Sequence, residues 1–416
     1  MSFREPSSRD DFDIAIVCAL ETEYNTVSLV FDEFWDEDED KYGKAAGDSN
    51  HYTTGRIAHY NVVLALLPHM GKVNAAGAAA SMRSSYRAIR LALIVGICGG
   101  IPAGNHGDIL LGDVIISKSL VQYDFGRQYP DKFERKDTVE DNLGRPNKDI
   151  RNLLALFATD RGRERLEKRT LDCLEQVQAK AVSKRRIGRE RYRYPGTAKD
   201  ILFEPDYRHK HHGRPTCACR DCLHDLSPVC EDAIRMSCID LGCDETRLMK
   251  RQQLEEKQQL EREGNAAMQQ PAIHIGAIAS GDAVIKSAVH RDKIAQEEGV
   301  IAFEMEGAGV WDEVPCIVVK GVCDYADCHK HKGWQNFAAA TAAAAAKAIL
   351  ERYTQIDKSG NNESQKERQE EDAKVTNKEQ DAQPRAASPS AVFHGPVSGR
   401  NVIAGSSMRG GTFHFR

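Results

Sequence analysis

Long hydrophobic runs are missing from this chain of 416 residues. No apolar stretch approaches the ~20 residues that cross a bilayer, so no membrane span is expected. The opening "MSFREPSSRDDFD" lacks the apolar centre of a signal peptide. An excess of positive charge is missing too. The formal net charge is -5, which gives no general basis for binding nucleic acid. Cysteine is not scarce, at 12 residues. Without a secretion signal, however, a disulfide framework is not expected. Cys18, Cys98, Cys316 and Cys323 stand in apolar runs, where a free thiol acts as a small hydrophobe. These absences lead us to expect a soluble cytoplasmic protein, long enough for a sizeable core.

The apolar segments that are present are short. "DIAIVCAL", "HYNVVLALLP", "RLALIVGICGG" and "LGDVIISKSL" read as strands in the first part of the chain. "PAIHIGAIASGD", "GVIAFEMEG" and "VPCIVVKGVCDYAD" read as strands in the second. Helical stretches alternate with them: "ETEYNTVSLVF", "GKVNAAGAAASMRSSYRAI" and the strongly helical "GWQNFAAATAAAAAKAILERY". This alternation predicts an α/β protein with a mostly parallel central sheet. Between about 130 and 270 the pattern degrades into Arg-, Lys- and Glu-rich sequence, read as an insertion because similar strands flank it. Residues 354–391 carry almost no bulky apolar side chains and predict a disordered linker. The last stretch, 392–416, is glycine-rich with spaced β-formers, the composition of a segment able to stack into cross-β structure.

Two acid-bearing segments point to a site. "FEMEG" holds Glu304 and Glu306 around Met305, and "CDYAD" holds Asp324 and Asp327. Both come after apolar runs, and ligands of open α/β sheets bind beside strand ends. Cleavage of a nucleoside C–N bond needs such groups. The base leaves when it is protonated, and water or phosphate attacks the opposite face of an oxocarbenium-like sugar. A carboxylate can also accept two hydrogen bonds from a ribose diol. The same acids have structural uses, as caps of the next helices or as partners of a helix dipole.

The order "ALETE", "GKVNAAGAA", "GICGGIP…GDILLGDVIIS", "IASGDAVI", "FEMEGAG" and "CDYAD" resembles the purine nucleoside and uridine phosphorylase superfamily. Within it the sequence is most similar to the methylthioadenosine and adenosylhomocysteine nucleosidase branch, in the form found at the front of fungal receptor-like immune proteins. The resemblance covers roughly 11–353. It implies a nucleoside-phosphorylase-like fold, a twisted mixed central β-sheet flanked by helices, here with a large charged insertion. It implies that Asp324 protonates the purine, that Glu23 activates water, and that Glu306 holds ribose with Met305 packed on the sugar. Glu304 either joins the substrate contacts or orients the loop. Gly99 and Gly100 would let backbone approach the substrate closely. Val284 stands where relatives place a stacking aromatic, so base packing should be weaker or come from elsewhere.

Phosphorylases of the superfamily hold phosphate with a glycine-and-arginine loop where this chain reads "ALETEYN". Acids there favour hydrolysis, with phosphorolysis as the alternative. Arg208 and Lys210, in "YRHKHH", are candidates for a phosphorylated 5′ end, or charges of a solvated loop. Cys217, Cys219, Cys222 and Cys230, with nearby histidines, offer zinc ligands but lack the spacing of paired zinc knuckles, so zinc stays an alternative, no metal is assigned, and no cofactor is expected. The resemblance implies an adenine nucleoside or nucleotide as substrate, ATP among them, and a homo-oligomer. It gives 392–416 as a contact to a receptor-like partner; as an isolated peptide the segment would then form β-rich assemblies. The competing class is a nucleotide-binding signalling module without turnover.

Overall fold

The structure, a computed structural model, describes residues 5–36, 41–104, 107–183, 190–214, 216–222 and 227–353. The expected linker 354–391 and the glycine-rich 392–416 lie outside the described residues. A mixed sheet of nine strands forms the centre. Its strands are β1 (Ile14–Cys18), β2 (Glu33–Phe34), β3 (Tyr52–Ile57), β4 (Tyr60–Leu66), β5 (Leu91–Gly100), β6 (Val114–Gln122), β7 (Ile273–Ser280), β8 (Val300–Glu304) and β9 (Cys316–Asp324). The strand order is β8-β7-β6-β9-β5-β1-β4-β3-β2, and β8 also pairs with β5. That extra pairing, Ala302 with Gly100 and Phe303 with Gly99, closes five strands into a ring. In the middle of the sheet β1 runs parallel to β4 and β5, and β5 parallel to β9, while β9 meets β6 antiparallel.

The central strands explain their own placement. β1 and β5 are nearly continuous apolar runs, as expected of strands covered on both faces. Each fully buried Ile or Val there is worth about 1.5–3 kcal/mol relative to exposure. Helix α1 (Glu21–Val30) comes after β1, α2 (Lys72–Ser85) after β4, and α8 (Gln335–Arg352) closes the domain. α8 is buried on all sides, and its alanines allow very close approach to the sheet. At Gly321 on β9 an added Cβ would lie 1.9 Å from the Ala338 carbonyl oxygen. Glycine is required there for strand and helix to touch.

The insertion is narrower than the sequence composition implied. Helices α3 (Lys148–Phe157) and α4 (Asp160–Ser183) lie within 130–270, yet Ile150, Leu154, Phe157, Leu166, Leu174 and Val177 join the main core. Their polar faces produced the charged composition. From Glu190 to Gln270 the described chain is irregular, apart from short helical turns and α5 (Gln252–Arg262). A buried cluster anchors it. Arg251 donates to Asp200 (2.9 Å) and to the hydroxyl of Tyr325, the residue after Asp324, and that hydroxyl also donates to Asp200 (2.7 Å). α6 (Ala288–Glu298) and α7 (Gly307–Trp311) precede α8 in the chain. The strand β3 was not foreseen; it pairs with the hydrophobic β4 across a tight turn, and its sequence "YTTGRI" offers a single bulky aliphatic residue, Ile57.

Candidate active site

The expected catalytic residues come from three separate parts of the chain and line one cleft of about 330 Å³. Glu23 sits in the first turn of α1, Met305 and Glu306 come directly after β8, and Asp324 ends β9. Gly99, Ile97, Cys98, Glu304 and Val284 line the same cleft.

Glu23 is buried and held by backbone. Its Oε2 accepts the N–H groups of Ala19 and Leu20, both at 2.9 Å, and its Oε1 accepts that of Ile97 at 2.9 Å. It therefore also serves the start of α1. A Cβ at Gly96 would fall 2.3 Å from Oε1, so glycine makes room for this carboxylate. Burial pushes the Glu23 carboxyl above its ordinary value; Lys320 opposes that shift and Glu306 adds to it.

Lys320, on β9, was not foreseen as a site residue. It is buried, with Nζ 2.8 Å from Glu306 Oε2 and 3.7 Å from Glu304 Oε2. The nearby carboxylates outweigh burial and hold it charged. The signal in the sequence was a lone cation inside the apolar "CIVVKGV". Glu304 turns inward, accepting the N–H of Glu306 (3.1 Å) and of Gly307 (2.9 Å) at the start of α7. This is the loop-orienting alternative, although Glu304 also borders the cleft.

Asp324 Oδ1 accepts the Ala326 N–H at 2.9 Å, and Lys330 Nζ stands 3.2 Å from Oδ2. Ala326 has a φ of +51°, uncommon for a residue other than glycine. The turn holds its N–H on the carboxylate at that cost, a form of strain that concentrates at functional sites. Gly99 pairs with Asp324, and a Cβ at Gly99 would lie 2.9 Å from the Ala326 Cβ. Gly100 is not among the residues lining the cleft; a Cβ there would meet Val322 at 2.7 Å. Its smallness serves strand packing.

Lys210 donates to the Cys222 carbonyl (2.8 Å) and Arg208 to that of Ser227 (2.7 Å), both inside the insertion and outside the cleft lining. Arg208 lines an adjoining cavity. Lys286, Lys330, His331 and Lys332 line both that cavity and the cleft, so three lysines stand where the two meet. The insertion also gathers two groups of cysteine and histidine: His209, Cys238, Cys243 with His329, and His211, Cys217, Cys219 with Cys230.

Residues 13–194 match the family model of the Phosphorylase superfamily. Over 354 residues it is 32% identical to a nucleotide-binding leucine-rich repeat (NLR)-like protein of Hyaloscypha variabilis. The alignment covers 83% of this chain and 30% of that protein, so the chain spans under a third of its relative's length. Among solved structures it is similar to futalosine hydrolase of Helicobacter pylori, with a TM-score of 0.45 and 15% identity over 82% of this chain and 98% of the other. It is also similar to the 5′-methylthioadenosine/S-adenosylhomocysteine nucleosidase of Helicobacter pylori, with a TM-score of 0.45 and 16% identity over 82% and 99% of the two chains. No helix among the described residues is long and apolar enough to cross a membrane.

Proposed function

We propose that this chain is a purine nucleosidase that hydrolyses the N-glycosidic bond of an adenine nucleoside or nucleotide. The observation that carries the reading is the convergence of Glu23, Glu306 and Asp324 on one cleft. In this reading the C1′–N9 bond breaks with its electron pair passing to the purine, whose N7 takes a proton from Asp324. Water adds at C1′ from the opposite face and gives its proton to Glu23. A raised affinity for protons suits Glu23 to that task. Lys320 occupies Glu306 Oε2 and fixes the carboxylate, which offers Oε1 to the ribose diol. Met305 packs on the sugar.

Lys286, Lys330 and Lys332 border the cleft, and cations there favour a phosphorylated 5′ end. ATP is the substrate we propose on that ground. The similarity to an NLR-like protein supports a place as the enzymatic module of a receptor-like immune protein. Hydrolysis is preferred over phosphorolysis because acid, not arginine, stands at the start of α1. Incubation with ATP, AMP, adenosine and methylthioadenosine, with and without phosphate, tests the reading. Free adenine formed without phosphate is expected. Release that depends on phosphate would make the chain a phosphorylase, and tight binding with no adenine release would make it a signalling module.

A further inference from the structure

The insertion gathers histidine nitrogens and cysteine sulfurs into two sets whose spacing is that of metal ligands. His209 Nε2 lies 3.0 Å from the Met236 carbonyl oxygen, and His329 Nε2 lies 3.0 Å from that of Tyr207. A carbonyl only accepts, so each Nε2 carries its hydrogen. In a neutral ring Nδ1 then bears a lone pair. The two Nδ1 atoms face each other at 3.3 Å. Two lone pairs so placed converge on one point, where a metal cation could accept both. Cys238 Sγ stands 3.6 and 3.5 Å from these nitrogens, and Cys243 Sγ 3.8 and 4.0 Å. A tetrahedral zinc ion with bonds of about 2.0–2.1 Å to nitrogen and about 2.3 Å to sulfur needs nitrogens about 3.4 Å apart and nitrogen–sulfur edges of about 3.6 Å. The four donors stand near those corners, and the carbonyl-bound Nε2 atoms supply the outer contacts that orient ligating histidines.

The second group repeats the pattern. His211 Nδ1 is 3.4 Å from Sγ of both Cys217 and Cys230, and those sulfurs are 3.7 Å apart. That separation is far beyond the roughly 2.05 Å of a disulfide and close to the sulfur–sulfur edge of about 3.8 Å in a zinc tetrahedron. Cys219 completes the set, its Sγ accepting the Cys230 N–H at 3.2 Å, while Cys217 Sγ accepts the Cys219 N–H at 3.5 Å. Such donors stabilise thiolates.

We propose that this protein binds two zinc ions, one in the Cys238–Cys243–His209–His329 site and one in the Cys217–Cys219–Cys230–His211 site. Four protein ligands leave no open position, so both ions are structural. They have a purpose in this segment. Its own apolar cluster is little more than Cys219, Cys222, Ala233 and Leu241, too small to order a stretch with so little regular structure. His329 lies beyond Asp324 in the loop after β9, so the first ion also fastens the insertion to the loop carrying Lys330.

Metal analysis of the full chain, purified reduced and without chelators, tests this independently of any nucleosidase activity. Two zinc ions per chain are expected. Cys238→Ala and Cys217→Ala should each leave one. Cys222→Ala should keep both, because Cys222 Sγ instead lies 2.6 Å from the Pro228 carbonyl. Where a variant does not fold, cobalt substitution of the wild-type chain gives the second readout: intense thiolate-to-cobalt absorption in a tetrahedral pattern is expected. Folded, reduced protein that neither carries nor takes up zinc, or that shows no thiolate-to-cobalt bands, overturns the proposal. Two equivalents of a different metal overturn the assignment to zinc.

Discussion

Lys320 donates to Glu306 through a 2.8 Å bond between Nζ and Oε2, and both side chains are buried. The same ammonium stands 3.7 Å from Glu304. One cation thus balances two carboxylates in a site that excludes most water. Lys320→Met should leave both acids uncompensated and cost about 3–5 kcal/mol of stability, as when one partner of a buried pair is removed. Urea unfolding checks this; an unchanged midpoint would show that the acids are neutral in the folded protein.

With Glu23 as the base of the proposed hydrolysis, acid should silence turnover earlier than an ordinary glutamate would dictate. Glu23 acts as a base only when deprotonated, and burial raises its pKa above the ordinary value of 4.5. The acid limb of the kcat/KM profile for adenine release should therefore lie above that pH. A conservative Lys320→Gln, if folded, should move the limb further up, because Lys320 favours the charged form of Glu23. A limb that stays in place would detach Glu23 from the rate.

Asp324→Asn keeps the size of the side chain and the acceptor for the Ala326 N–H. It removes the proton that the proposed reaction takes from Asp324. Adenine release should fall by about 10²–10⁴-fold with little change in thermal midpoint. Full activity in the variant would remove Asp324 from the chemistry.

Lys286 and Lys332 border the cleft at its mouth, away from the buried pairing of Lys320 with Glu306. Lys286→Ala and Lys332→Ala should each lower kcat/KM for ATP by about tenfold, the scale of a lost charged hydrogen bond, and leave adenosine nearly unaffected. Arg208→Ala, whose side chain bonds the Ser227 carbonyl, should show no such preference. An equal effect of the lysine changes on both substrates would argue for an unphosphorylated 5′ end.

Asp113 ties β6 to the insertion. It accepts from Leu110 N–H and pairs with Lys257 (3.3 Å) and His274 (3.1 Å). Burial opposes its charge, but these partners outweigh burial and hold its pKa at about 2, below the ordinary 3.8. A lowered carboxyl pKa contributes stability that is complete above the unfolded value and is lost as pH falls through the folded one. On the order of 2 kcal/mol should therefore disappear between about pH 4 and pH 2. Acid unfolding of Asp113→Asn should lack this component; a parallel curve would count against it.

Much of this was legible in the chain because it rests on local pattern. The apolar runs ending in "FEMEG" and "CDYAD" announced strands with acids at their tips; Glu304, Glu306 and Asp324 do meet in one cleft, whereas Asp327 is buried outside its lining and accepts the His329 N–H. Lys320 was not legible, since a single lysine in an apolar strand acquires meaning only when Glu306 folds over it. The cations at the cleft mouth were sought in "YRHKHH" because of charge density, whereas that segment spends its lysine and arginine on carbonyls of the insertion. The two Cys/His groups stayed hidden for a topological reason. His209 and His211 turn to different groups, and His329 joins from beyond the insertion, across a separation of 91 residues from Cys238. α3 and α4 were masked by their charged outer faces, which dominate composition while a single apolar stripe does the packing.

The pairing of β8 with β5 has a dynamic consequence. A sheet with two free edges can splay, and two lobes can swing about a hinge. A ring of five hydrogen-bonded strands can do neither without breaking a ladder. Glu304, Gly99 and Asp324, set on that ring, are held at fixed spacing by the ladders between their strands. In the proposed reaction the segments 281–286 and 325–332, which carry cleft-lining residues outside those ladders, are the parts left free to move as substrate enters and product leaves.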